Sequence, residues 1–300
     1  MKPELIDYSK EANIQYGKLY IFDMVMEQMP DKRSRTIRVW LPESYDGVKR
    51  YPVMYMHDGQ NNFDGAGVVE PKWYCDRGMK TLAPEGIEAI VVSIDTSDDR
   101  GSELLPPLTR NPNHRIPRLP GAPAIRQLGG CYADFVKDSL KPVIDETFMT
   151  LPDAAHTGIG GSSMGGLQSF YMVMRDPDVF GRGLLFSPGY GILDESCLEL
   201  LDKYDVSKLE NVRMFMWNGD QTLDYGILYP MLRVYRKLKD DLGLDYQHVA
   251  CMVDTREAHY MYGWGKYFPE AMRYLFSEDN SLPQPPERSY KFERRPETDD

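Results

Sequence analysis

The sequence predicts an α/β protein in which helices cover both faces of a mostly parallel central sheet. Short apolar runs rich in β-branched residues alternate with longer segments of helical periodicity along its 300 residues. Two of these runs, YPVMYMH (51–57) and EAIVVSI (88–94), are almost continuously apolar, which is typical of parallel strands buried on both faces. Alternating strands and helices imply right-handed crossovers, and these bring functional residues to the carboxyl ends of the strands.

The predicted elements follow one another in a regular order. A polar turn, MPDKRSR, separates an opening pair of strands, KLYIFDMVM and RTIRVWL. The later predicted strands are YPVMYMH, EAIVVSI, HTGIGGSS, GRGLLFSP, VRMFMWNG and YQHVACMVD. The predicted helices are YADFVKDSLKPVIDETF, GLQSFYMVMRDP, YPMLRVYRKLKDDLG and YFPEAMRYLF.

Chain length and apolar content predict that residues 1–276 form a single α/β catalytic domain. Within it, residues 96–128 lack periodicity and are rich in proline and arginine, so we expect an irregular excursion close to the functional site. Residues 277–300 are rich in proline and charged residues, which predicts a flexible tail.

The composition limits which binding partners and which cellular compartment are expected. The formal net charge of −11 disfavours nucleic acid and anionic membranes, because phosphates would be repelled. No apolar run approaches the ~18 residues of a membrane span, and no signal peptide is visible, so we expect a cytoplasmic protein unless a leader has been removed. Four separated cysteines lack zinc-ligand spacing and are expected to be reduced thiols: Cys75, Cys131, Cys197 and Cys251. The sequence leaves the oligomeric state open.

A G-x-S-x-G motif, Gly161 to Gly165, lies between a predicted strand and a predicted helix. This arrangement is typical of the nucleophile turn of α/β-hydrolases, in which small neighbours let the backbone double back and the serine hydroxyl stands clear of the sheet. The motif predicts Ser163 as the nucleophile and the backbone N–H of Met164 as an oxyanion donor. Ser162 occupies the variable position and is the poorer candidate.

A serine nucleophile needs a base, and in α/β-hydrolases the histidine comes last in the chain order. Only His248 and His259 follow Ser163. His248 lies inside the apolar run YQHVACMV, which favours a core or sheet-face position. His259 follows a predicted strand and precedes the final helix, as a catalytic loop would, so we predict His259 as the base.

The acid of such a site is expected in the segment GDQTLDYG, after the strand VRMFMWN. This segment offers Asp220 and Asp224, and spacing does not decide between them. We favour Asp224, because Asp220 lies directly against the end of the strand, where its side chain is expected to point away. The rejected aspartate would shape the turn or cap the helix.

The second oxyanion donor is expected in the loop MHDGQNNFD, where Gly59 or Gln60 offers a backbone N–H. The alternative is that Asp58 and the adjacent asparagines only build a turn.

Aromatic and basic residues suggest how a substrate would be bound. Four aromatic residues are candidates for substrate binding: Trp73, Tyr132, Tyr260 and Trp264. Their rings could stack on a phenolic acyl group or a sugar, and the alternative is that they pack in the core. Four arginines lie in the irregular segment: Arg110, Arg115, Arg118 and Arg126. They would favour an anionic substrate, and the alternative is that they form a solvated surface.

Four segments in this order resemble the Putative esterase family: YPVMYMHDGQNNFD, LGGCYADFVKDSLKPVIDETF, TGIGGSSMGG and EAHYMYGWGKYFPEAMRYLF. The family includes esterase D, feruloyl and acetyl-xylan esterases, and enterochelin esterases, and the resemblance covers about residues 35–276. It implies an α/β-hydrolase fold, a Ser–His–acid triad and no metal or other cofactor. By residue matching it places the nucleophile at Ser163, the base at His259, and the backbone donors at Met164 and near Gln60.

One departure from the family pattern concerns the acid. Members resembling this chain carry it about three residues after a glycine in the loop that follows the penultimate strand. Three residues after Gly219 stands Thr222, which cannot act as an acid. The acid has therefore shifted to Asp220 or Asp224, or the triad is incomplete.

The expected function is hydrolysis of a small-molecule carboxylic ester through an acyl-enzyme. A feruloyl or acetyl ester of a plant polysaccharide fragment is the first expectation, and a ferric-siderophore ester the second. An acyltransferase is an alternative, because mycolyltransferases share this fold and triad. A non-catalytic binding protein is a further alternative, which retention of Ser163 and His259 disfavours.

Overall fold

The computed structural model describes residues 2–64, 72–108, 124–193 and 195–277. Within these ranges nine strands form one sheet in the order β1-β2-β3-β5-β4-β6-β7-β8-β9. The strands are β1 (Ile6–Asp7), β2 (Lys18–Val25), β3 (Ser34–Leu41), β4 (Val53–Met56), β5 (Ile90–Ile94), β6 (Thr157–Ser162), β7 (Arg182–Phe186), β8 (Arg213–Gln221) and β9 (Val249–Ala258). Every strand predicted from the sequence is present.

The described helices of four residues or more include α1 (Cys75–Leu82), α2 (Arg100–Glu103), α3 (Gly129–Phe135), α4 (Lys141–Thr147), α5 (Met164–Arg175), α6 (Ser196–Asp202), α7 (Leu223–Arg236) and α8 (Met261–Phe276). A wider helical turn, Val136–Leu140, joins α3 to α4, so the predicted helix YADFVKDSLKPVIDETF forms one continuous element. In the described ranges no helix combines the length and the apolar character required to cross a bilayer.

The sheet is antiparallel at its first edge and parallel elsewhere. β1, β2 and β3 pair antiparallel, as do β3 and β5. From β5 through β4, β6, β7 and β8 to β9 all pairings are parallel. The four central strands β4 to β7 are buried at every residue, as the almost continuously apolar runs of β4 and β5 predict for those two strands. The predicted α/β-hydrolase architecture is therefore confirmed, and the carboxyl ends of six parallel strands meet at one edge.

Two apolar cores lie on opposite faces of the sheet. Neighbouring residues of β7 illustrate the alternation, because Leu185 packs in one core and Leu184 in the other. Side chains of α3, α4, α5, α6 and α7 fill the first core, and those of α1 and α8 fill the second. The helices that flank the sheet thus hold the strand ends in fixed relation to one another.

Four elements lie outside the sequence predictions. β1 has only two residues, too few for an alternating pattern. The segments of α1 and α6 are short, but in α1 the buried residues Cys75, Met79 and Leu82 recur at helical spacing. A short helix, α2, also forms within the described part of the predicted excursion 96–128; residues 109–123 of that segment and 278–300 of the predicted tail lie outside the described residues.

An aromatic cluster in the second core provides a test of the packing. The fully buried ring of Phe186 stacks on Trp73 at 5.4 Å and lies 5.6 Å from Trp217. We expect Phe186→Ala to lower the free energy of unfolding by about 3–5 kcal/mol, because it removes apolar contacts and leaves a cavity. Urea denaturation measures this loss. Val48→Ala is the control, since Val48 is 76% exposed and should change stability by less than about 0.5 kcal/mol. Equal effects of the two changes would contradict this packing.

Candidate active site

The predicted site residues lie at the carboxyl edge of the parallel strands. Ser163 directly follows β6, and His259 directly follows β9. A turn of helix, Gly59–Asn61, begins three residues beyond the end of β4. The segments that follow several strands therefore lie in one region, as expected for a parallel sheet with helices on both faces.

Ser163 occupies a strained strand-to-helix turn. Its backbone angles, φ 59° and ψ −119°, are rare for a residue other than glycine. The Ser163 N–H donates to the Phe186 carbonyl at 2.9 Å, and the Ser163 carbonyl accepts from the Gly189 N–H at 3.0 Å, so the end of β7 and the segment after it hold the turn from both sides. The close packing explains the glycine at 166, where a Cβ would lie 2.9 Å from the Phe186 carbonyl oxygen.

His259 and Asp224 form a hydrogen-bonded pair. The Nδ1 of His259 lies 2.6 Å from Oδ1 of Asp224, whose side chain is fully buried. The other oxygen of Asp224 accepts from the Gly219 N–H at 2.9 Å and from the Ser187 hydroxyl at 3.0 Å. Trp264 Nε1 in turn donates to Ser187 Oγ at 3.0 Å. These partners hold the carboxylate in one orientation beneath the imidazole.

Asp220 does not take part in this pair. It belongs to β8, and its carboxylate accepts from the Gln221 side chain at 2.5 Å. The expectation of an acid-bearing loop after VRMFMWN is also wrong in its geometry. Pairing of β8 with β9 continues past a bulge to Gln221 opposite Ala258, and Asp224 lies in the first turn of α7. The structure therefore brings Asp224, and not Asp220, to His259.

The turn at Thr222 allows Asp224 to reach His259. Its backbone angles, φ 54° and ψ −129°, nearly repeat those of Ser163, and α7 begins at the next residue. Such a conformation is an outlier for a β-branched residue. The sharp turn folds the first residues of α7 back over the end of β8, and the Thr222 hydroxyl accepts from the His259 N–H at 3.5 Å. A displaced acid two residues after Thr222 thus reaches the same histidine.

The predicted oxyanion donors both lie at the start of helical turns. Met164 is the first residue of α5, and Gly59 and Gln60 are the first two residues of the turn Gly59–Asn61. N–H groups at these positions have no acceptor within their own helix. The side chain of Gln60 is fixed by two hydrogen bonds with Thr96, one from its Nε2 to Oγ1 at 2.6 Å and one to its Oε1 from the Thr96 N–H at 3.0 Å.

The four predicted substrate-binding rings divide into two groups. Tyr132 is fully buried, Trp73 packs on Phe186, and Trp264 lies edge-on to His259 with its indole N–H directed at Ser187. These three rings are packing residues, and the expectation that they contact substrate does not hold for their buried positions. Tyr260, next to His259, is 48% exposed and stays a candidate.

His248 and Arg126 have partners away from the site. His248 immediately precedes β9, where it is partly exposed and its Nδ1 lies 2.6 Å from Asp245 Oδ1, so the expectation of a core or sheet-face histidine is wrong. Arg126 donates to Asp99 at 2.7 Å. The other three arginines considered for an anionic substrate, Arg110, Arg115 and Arg118, lie outside the described residues.

Two further polar residues support the strand ends, and sequence reasoning missed both. His57, at the end of β4, is buried against Gly161 and Gly165, and its Nδ1 lies 2.8 Å from the Tyr132 hydroxyl. Burial lowers the pKa of His57 from 6.5 to about 4, so the ring is neutral at pH 7. Arg100 forms a bidentate pair with Asp58. The one sequence signal for Asp58 is its position in the segment MHDGQNN, and no motif in the sequence indicates a role for Arg100.

A parallel sheet covered on both faces, a strained serine turn after a central strand and a histidine–carboxylate pair contributed by later strands define an α/β-hydrolase. The model of the family described as "Putative esterase" matches residues 28–222. The chain belongs to this family, which confirms the resemblance seen in the sequence, and it is a carboxylesterase.

Individual relatives are distant. The "Uncharacterized protein YbbA" of Bacillus subtilis (strain 168) is 22% identical over an alignment of 257 residues that covers 83% of this chain and 95% of that protein. The feruloyl esterase module from Clostridium thermocellum, a mutant complexed with sinapinate, superposes with a TM-score of 0.61 at 18% identity, covering 93% of this chain and 95% of that one. The enterobactin and salmochelin hydrolase IroE gives a TM-score of 0.61 at 14% identity, with 87% and 95% covered. These two structures share the fold.

The buried His57 predicts a pH dependence of stability. Because its pKa is about 4 in the folded protein and near 6.5 in the unfolded chain, the unfolded state binds more protons between these values. The stability that neutral His57 contributes is complete above pH 6.5 and falls by about 3 kcal/mol as the pH drops towards 4. We therefore expect the difference in unfolding free energy between wild type and His57→Gln to shrink by this amount between pH 7 and pH 4.

Urea denaturation at a series of pH values measures the difference. Val48→Ala provides the control, because it removes no titratable group from an exposed position and should retain the wild-type pH dependence. A His57→Gln variant with the same pH dependence as wild type would contradict a neutral, buried ring.

Proposed function

We propose that the protein is a serine carboxylesterase whose catalytic triad is Ser163, Asp224 and His259. The observation that carries the proposal is the 2.6 Å contact between His259 and the fully buried carboxylate of Asp224. Nothing in packing alone requires a buried carboxylate, since burying an ionised group is costly unless it is paired. The chain order Ser–Asp–His is that of α/β-hydrolases.

In the proposed reaction, Ser163 Oγ attacks the ester carbonyl while His259 removes its proton. Asp224 accepts a hydrogen bond from Nδ1–H of His259, which leaves Nε2 as the basic nitrogen. The tetrahedral oxyanion is stabilised by the backbone N–H groups of Met164 and Gln60. His259 then protonates the leaving alcohol, and the same residue activates the water that hydrolyses the acyl-enzyme.

The proposed substrate is a feruloyl or acetyl ester of a carbohydrate. Four tyrosines on α7 or at the start of α8 are exposed, and these helices carry Asp224 and follow His259: Tyr225, Tyr229, Tyr260 and Tyr262. Exposed rings beside a reactive centre suit a flat phenolic acyl group or a sugar face, which bind by stacking. The feruloyl esterase module that shares this fold was solved with sinapinate, a phenolic acid of this kind.

Hydrolysis of two model esters tests the proposed activity. We expect wild type to hydrolyse p-nitrophenyl acetate and methyl ferulate, and Ser163→Ala to lose turnover on both while keeping its thermal unfolding midpoint, because the hydroxyl is the nucleophile. Substantial hydrolysis by the alanine variant would overturn the assignment. Activity on acetate alone would favour acetylated sugars over phenolic esters. Activity on neither ester would favour a ferric-siderophore ester, an acyl transfer or a binding role.

Replacing each aspartate by asparagine tests the choice of acid. We expect Asp224→Asn to lower kcat about 10⁴-fold, because an amide no longer stabilises the charged imidazole or fixes its tautomer. Asp220→Asn is the matched control and should stay within about threefold of wild type, since its partner is Gln221. Equal losses in the two variants, measured by steady-state kinetics, would rule out Asp224 as the acid.

A further inference from the structure

Asp58 lies near both proposed oxyanion donors, since it is two residues before Gln60 and packs beside α5, whose first residue is Met164. Asp58 directly precedes the turn Gly59–Asn61, and its backbone is left-handed, with φ 56°. Its Oδ2 is 3.5 Å from the position that a Cβ would take on Gly165, the residue after Met164. Asp58 is buried, so its charge is poorly screened by water. An unpaired carboxylate here would oppose the negative charge that develops on the substrate oxygen.

Arg100 engages both oxygens of this carboxylate. Its Nε donates to Oδ1 of Asp58 at 2.5 Å, and its Nη2 donates to Oδ2 at 2.8 Å. Nη2 also lies 3.4 Å from the carbonyl oxygen of Ser162, the residue before Ser163. A bidentate guanidinium fixes geometry as well as charge. Arg100 therefore links the turn after β4 to the end of β6.

The guanidinium is presented by an anchored helix. Arg100 is the first residue of α2, and Glu103 at the end of α2 is fully buried. Glu103 accepts from Nη1 of Arg33 at 2.7 Å and also from Arg35 of β3. These ion pairs tie α2 to the antiparallel part of the sheet, so that the position of Arg100 does not depend on Asp58 alone.

We propose that Arg100 is a positioning residue that neutralises Asp58 and thereby keeps the oxyanion hole electropositive. This inference rests on the proposed serine esterase activity. Arg100 acts through Asp58 and contacts no reacting atom in the mechanism above. Its contribution is realised only when negative charge builds up on the substrate oxygen, so it affects kcat and leaves substrate binding nearly unchanged.

Steady-state hydrolysis of p-nitrophenyl acetate by three variants tests the inference. We expect Arg100→Gln to lower kcat on the order of 10- to 100-fold with KM within about threefold, because Asp58 is left unpaired near the oxyanion. The double variant Asp58→Asn/Arg100→Gln removes both charges and should recover to within about fivefold of wild type. Arg100→Lys keeps the positive charge and should also stay within about fivefold. A purely structural role would lower the thermal unfolding midpoint of Arg100→Gln together with its kcat, whereas neutralisation lowers kcat in an enzyme that stays folded.

The pair between Arg273 and Glu85 supplies a matched control. It is also bidentate, with distances of 2.7 and 2.8 Å, and the side chain of Arg273 is 30% exposed, against 31% for Arg100. Glu85 precedes β5 and therefore lies at the opposite edge of the sheet from the site. Arg273→Gln should keep the kcat of wild type.

Two results would overturn the inference: a wild-type kcat in Arg100→Gln, or a double variant as slow as Arg100→Gln. Thermal unfolding checks that each variant is folded. If Arg100→Gln alone fails to fold, the double variant decides, since it buries no unpaired charge, and a loss of more than about tenfold there contradicts neutralisation. Ser163→Ala in the same assay separates the two proposals, because activity that survives it would contradict the serine esterase mechanism instead.

Discussion

The buried carboxylate of Asp224 is the interaction on which the site geometry depends. Its hydrogen-bond partners come from the ends of three neighbouring strands: Ser187 after β7, Gly219 in β8 and His259 after β9. An ionised group with no exposed surface is tolerated only when its oxygens are hydrogen-bonded, so displacement of any one strand end would carry a large energetic cost. The need to satisfy one charge thereby holds the proposed base in a fixed orientation.

Backbone strain is concentrated at the same edge of the sheet. Four residues other than glycine have positive φ directly at or soon after the ends of four adjacent strands, β4, β6, β7 and β8: Asp58, Ser163, Ser187 and Thr222. Each of these conformations costs on the order of 1–3 kcal/mol and persists only where the surrounding packing imposes it. The two buried cores and the aromatic cluster around Phe186 supply that packing. Sharp turns at these four positions allow short side chains to face one another across the strand ends.

The aromatic residues show how one ring serves both packing and the site. Trp264 belongs to the second core, yet its indole N–H supports Ser187 and its ring centroid lies 5.0 Å from that of His259. Packing of α8 against the sheet is thus coupled to the orientation of the proposed base. Beyond this buried layer, exposed tyrosines lie on α7, which begins after Thr222, and at the start of α8, which follows His259 in the chain.

Local patterns in the sequence determined the strands, the long helices, the turn at Ser163 and the order in which the proposed nucleophile, acid and base occur. These features depend on neighbouring residues, through apolar periodicity and the space that glycine allows. The choice of Asp224 over Asp220 was left to the tertiary structure, because it depends on the register of β8 against β9 and on the turn at Thr222. The burial of Trp73, Tyr132 and Trp264 and the pairing of Arg100 with Asp58 were decided in the same way. Both the burial of these rings and the Arg100–Asp58 pair depend on contacts between residues far apart in the chain. Only packing of the whole sheet brings such residues together.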